Sequence, residues 1–150
     1  RDTISRIADT FSEHIEKDDN ILINSSHTGY EDLFGIIHNR SVHIDLKNIL
    51  IRGEDRFDLN RKENHAKKKY FLRFHIHPSV ELSATKSKRK VVLKLKNNVG
   101  WEFICSEARI KIEDGIYLGE KKMVQSNQHI LITDEIDKTK EIKWLFRLIK

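Results

Sequence analysis

The chain has 150 residues and a mass of 17.7 kDa, with 38% apolar and 34% charged residues. That is enough for one self-supporting domain, and the apolar fraction excludes a disordered chain. One Pro and six Gly exclude collagen-like and low-complexity classes, and the single Cys105 excludes an internal disulfide framework or a multi-cysteine zinc site. The formal net charge is +5, and no run of apolar residues is long enough for a transmembrane helix, so no membrane segment is expected.

The chain opens on Arg1-Asp2-Thr3, without the features of a leader, and reads as a piece of a longer polypeptide. Residues 1–12 are ambiguous. Ile4, Ile7, Ala8 and Phe11 fit helical spacing, yet the β-formers around them favour a strand. Short apolar or alternating runs then follow: Ile21-Leu22-Ile23, Ser41-Val42-His43-Ile44 and Ile49-Leu50-Ile51. Between the first two lies Ser26-His27-Thr28-Gly29-Tyr30, which reads as a polar turn. His27 and Tyr30 could face a cleft there as proton-transfer groups, and they are the only catalytic candidates. The neighbouring acids Asp18-Asp19 and Glu54-Asp55 read as turn or surface features. Residues 58–68 lack periodicity and read as a loop.

Tyr70 to His77 alternates, with Leu72, Phe74 and Ile76 on one face and Phe71, Arg73, His75 and His77 on the other. His75 and His77 are the candidate metal ligands, because two imidazoles on one strand face suit zinc. Pro78 ends that strand. Further strands are expected at 91–96, 101–105, 109–112, 129–132 and 142–146, with Trp101 and Trp144 more suited to the core than to a sugar platform and Cys105 as a small buried hydrophobe. Asn97 to Gly100, Glu113-Asp114-Gly115, Leu118-Gly119-Glu120 and Asp134 to Lys138 read as turns. Many short strands at regular spacing predict an all-β antiparallel sandwich with little helix, forming a single domain over 1–150. The basic runs Lys67-Lys68-Lys69 and Lys86 to Lys90 lack interleaved aromatics, and no nucleic-acid partner is expected.

Six segments together resemble the alphaproteobacterial heparinase II/III-like proteins. They are Ser26 to Tyr30, Phe34-Gly35-Ile36-Ile37-His38-Asn39-Arg40, Arg52-Gly53-Glu54-Asp55-Arg56, Arg73-Phe74-His75-Ile76-His77-Pro78, Gly115 to Glu120 and Lys143-Trp144-Leu145-Phe146-Arg147. The resemblance implies the C-terminal part of a β-sandwich in a polysaccharide lyase-like parent, with an N-terminal (α/α) toroid as partner domain. It implies β-elimination on an acidic, uronic-acid-containing polysaccharide. It also implies that residues 2–12 form a strand. The family's acid/base groups lie on the toroid and on an upstream His-x-His-Ala motif, neither present in this chain, so the segment alone is expected to be structural rather than catalytic. A structural zinc is implied, with His75 or His77 as one ligand after the Asp55-Arg56 pair and the remaining ligands outside this chain. The alternative is a non-catalytic carbohydrate-binding or structural β-module. The residues leave the compartment open, periplasmic or cytoplasmic in a bacterium.

Overall fold

The computed structural model describes residues 8–60, 68–106, 109–119 and 124–149. Eleven strands and one helical turn are assigned among them. In chain order they are β1 (Thr10–Lys17), β2 (Asn20–Tyr30), α1 (Glu31–Phe34), β3 (Ile36–Asp45), β4 (Leu50–Leu59) and β5 (Lys68–His75). There follow β6 (Glu81–Ala84), β7 (Lys90–Lys94), β8 (Gly100–Cys105), β9 (Arg109–Leu118), β10 (Val124–Ile136) and β11 (Lys140–Leu148). The chain is an all-β antiparallel sandwich with two sheets, as the strand spacing predicts.

The chain divides into two compact units. The first holds Arg1–Lys68 and Ile136–Lys143, and the second Lys69–Glu135 and Trp144–Lys150. In the first, β1, β2, β3 and β4 form an antiparallel meander, and the opening residues of β11 follow β4 in the strand order. In the second, the closing residues of β11 pair with β8, then come β7 and β6, while β5, β10 and β9 form a separate three-stranded sheet.

The second unit carries the larger apolar core. Val91, Phe103, Ile130 and Ile132 are fully buried, joined by Leu72, Leu93, Ile110 and Trp144. Period-2 alternation explains the choice, since Tyr70 and Leu72 point inward while Phe71 and Arg73 point out. Phe74 from β5 lies 5.0 Å from both Phe103 and Trp144 by ring centroid, so four aromatic rings with Phe146 join the two sheets. Cys105 is buried in this core, as expected of a small hydrophobe. Above it Glu102 is held by Lys90 at 2.5 Å and by Arg147. The hydrogen bond from Lys90, reinforced by Arg147, holds the Glu102 carboxyl below its usual range although burial opposes this.

Four expectations change. Ser26 to Tyr30 is no turn but the end of β2, paired residue by residue with β3 up to His27↔His38. Glu113-Asp114-Gly115 is likewise the interior of β9, where Gly115 faces Asn127 of β10. A Cβ at Gly115 would lie 2.8 Å from Asn127 Oδ1 and 3.1 Å from His129 Nδ1, so glycine serves close side-chain approach there rather than a bend. Asp55 is not a surface acid but wholly buried. The loop read over 58–68 begins later than expected, because Asp58 and Leu59 close β4. Its positions 61–67, and positions 2–7 of the strand expected at 2–12, fall outside the described residues, whereas positions 10–12 do lie in β1. The Asn97 to Gly100 turn stands as read. Asn98 is left-handed at φ 61° and donates to the Leu95 carbonyl, while Leu95 N–H donates to Val99.

Candidate functional site

The first unit brings together a line of polar side chains across three strands. The register sets His27 of β2 opposite His38 of β3, and Arg40 of β3 opposite Asp55 of β4. Because His38 and Arg40 are two residues apart, both project on the same face and converge on Asp55. His38 Nε2 lies 2.7 Å from Asp55 Oδ1. Arg40 clamps the same carboxylate with its fork, Nε at 2.7 Å from Oδ1 and Nη2 at 3.1 Å from Oδ2. A wholly buried carboxylate is tolerated because these donors replace the water it lost.

His27 Nε2 lies 3.2 Å from His38 Nδ1, and the backbone N–H of Gly29 donates to His27 Nδ1 at 3.3 Å. That donor assigns the tautomers. Accepting at Nδ1, His27 carries its proton on Nε2 and donates to His38 Nδ1; His38 then donates from Nε2 to Asp55. All hydrogen bonds in the line therefore run one way, toward the buried anion. Partial burial, and then the neighbouring His38, push the His27 pKa below its ordinary value of 6.5, so His27 is a neutral imidazole at pH 7. Tyr30 stands edge-on to His27 with ring centroids 5.0 Å apart, and the residue is 47% exposed. Phe57 stacks beneath His38 at 4.9 Å. The arrangement holds a neutral imidazole, engaged at both ring nitrogens, in a fixed orientation beside an exposed phenol.

His27 and Tyr30, named from sequence, are thus brought together. His38, Arg40 and Asp55 were missed in any site role. The signal was present in the His38-x-Arg40 spacing, but only the β3–β4 register reveals that both meet Asp55.

His75 closes β5 and His77 follows just beyond it; both are exposed, and their rings meet different neighbours. His75 packs 5.3 Å from His129, and His77 packs 5.3 Å from Tyr117 while its Nδ1 engages Ser79. His129 is buried, with Nε2 3.4 Å from Glu113. Among the described residues no three His, Cys, Asp or Glu side chains gather so as to hold a metal ion, and no chemical step is derived through zinc.

In class, the fold and site define an all-β antiparallel sandwich with a His–His–Asp line across one sheet face. The model of the family described as "Heparinase II/III-like, C-terminal" matches residues 1–145, and the chain belongs to that family. Among solved structures, the fold is similar to the heparan sulfate lyase HepC from Pedobacter heparinus, with a TM-score of 0.76, 11% identity, and coverage of 94% of this chain and 22% of that one. It is also similar to the heparinase III product of BT4657, with a TM-score of 0.71, 12% identity, and coverage of 94% and 22%. Among curated proteins, FtsZ-localized protein C of Caulobacter vibrioides is 30% identical over 81 residues, covering 50% of this chain and 14% of that protein. The chain therefore spans about a fifth or less of the length of these relatives.

Proposed function

We propose that the chain is the C-terminal sandwich of a polysaccharide lyase-like parent that cleaves a uronic-acid-containing polymer by β-elimination. Its own role is architectural, completing the sheet against which a toroid domain closes, and it does not complete the reaction alone. The observation that carries this reading is the family match across residues 1–145. In the elimination, a base removes the C5 proton of the uronate, the C4–O bond breaks, and an acid protonates the departing oxygen. His27 and Tyr30 would face the cleft, Tyr30 as an accessory proton-transfer group and His27 as the neutral imidazole that positions it, itself oriented through His38 and Asp55. The supporting geometry is the one-way hydrogen-bond line with the exposed phenol beside it. The test is an assay of the parent on several uronic-acid polymers for ultraviolet-absorbing unsaturated products. Product from any polymer supports the reading; none from all of them refutes it.

A structural zinc with His75 or His77 among its ligands is part of the same reading, completed from outside this chain. What supports it is that the two imidazoles stand two residues apart and are both exposed. Metal analysis of the purified parent should find stoichiometric zinc that is lost in His75→Ala/His77→Ala; retention of zinc in that double variant would refute it.

A further inference from the structure

The other face of the four-stranded meander carries a groove of about 490 Å³, within the range of small-ligand sites. Alternation puts its side chains opposite the His27–His38–Asp55 line. Its floor is two rows that cross the strands in register. Phe11, Ser26, Asn39 and Arg56 form one row, and Asn24, Ser41 and Glu54 the other. At the usual strand spacing, four strands span about 14 Å, the reach of a short oligosaccharide.

Three features argue for a sugar. The floor is built of amides, hydroxyls, carboxylates and a guanidinium, the groups that bind vicinal hydroxyls in pairs. They are preorganised: Ser41 donates to Asn24 at 2.6 Å, Asn39 to Asp58 at 2.9 Å, and Arg56 to Asp58 at 2.7 Å. Rigid donors and acceptors lower the ordering cost of binding. At one end of the first row Phe11 is 59% exposed, an aromatic face open to an apolar ring surface. On this face Arg56 stands against both Glu54 and Asp58, because the Arg40 guanidinium is spent on Asp55 on the other face, so the groove has no bias toward a polyanion.

We propose that this groove is a binding subsite for an uncharged oligosaccharide, separate from the His27 face. The proposal does not depend on lyase activity, since the groove can bind sugar whether or not the parent cleaves any polymer. The experiment is calorimetric titration of the full chain with cellohexaose, chitohexaose and a heparin hexasaccharide, at low and high salt. The expected result is binding of at least one neutral hexasaccharide with an affinity that salt leaves unchanged, weakened at least about tenfold by Phe11→Ala. Phe11 is exposed on an edge strand, so the variant keeps its fold, which its melting curve checks. Failure of both neutral sugars to bind overturns the proposal, as does binding of the heparin hexasaccharide alone. An affinity that Phe11→Ala leaves within about twofold overturns it too.

Discussion

At the scale of single residues, Asp55 decides how the first unit is wired. Among the described residues it is the one charged side chain there with no exposure, and it accepts from His38 and twice from Arg40. Removing the acceptor leaves a guanidinium and an imidazole without it. Arg40 keeps about a third of its side chain in water, which softens the penalty. Asp55→Ala should therefore cost about 2–3 kcal/mol, below the upper range for breaking a buried pair. Urea unfolding reads this as a lower midpoint with an unchanged slope, and a loss under about 0.5 kcal/mol would show that the carboxylate is not the anchor described. His27 supplies a pH dependence. Its folded pKa lies below 6.5, so the unfolded chain binds its proton more readily. The stability it contributes is complete above about pH 6.5 and is lost as pH falls through the folded value. Denaturant midpoints followed from neutral to mildly acid pH should decline, and His27→Gln should flatten that decline. An identical slope in the variant would contradict the shift.

At the scale of elements, the meander shows where a sequence can be read and where it cannot. Runs such as Tyr70 to Phe74 alternate cleanly because one face is core and the other wet, and their strands were legible. The end of β2 was not. Ser26 to Tyr30 looks like a turn because it is polar, yet that polarity is satisfied from both sides, His27 through His38 of β3 and Thr28 through the Asp9 backbone that leads into β1. Pairing on both sides overrode local propensity. Gly115 misled in the same way, since glycine in a strand can mark close approach as well as a turn. The connection from β3 to β4 holds a further oddity that no periodicity reveals: Ile49, β-branched and half exposed, has φ 53°. A β-branched residue pays for the left-handed region more than Asn does. Ile49→Asn should stabilise the chain by about 1 kcal/mol, visible as a raised melting temperature. A lowered melting temperature would mean that the Ile49 side chain contributes more packing than its exposure suggests.

At the scale of the whole molecule, the fold class was legible because spacing of strands and turns is a statistical property of the entire chain. The site was only half legible. His27 and Tyr30 lie close in sequence and could be singled out, whereas His38, Arg40 and Asp55 are joined by register, a property of pairing. The chain covers 22% of HepC, and the proposed chemistry is assigned to a larger parent rather than to this sandwich alone. The most direct measurement is ultraviolet absorbance of unsaturated products when the parent, and separately this chain, is incubated with a panel of uronic-acid polymers. The account predicts product from the parent on at least one polymer, a slower rate in the Tyr30→Phe parent, and none from the chain alone. A parent inert on every polymer, or a chain that generates product by itself, would contradict it.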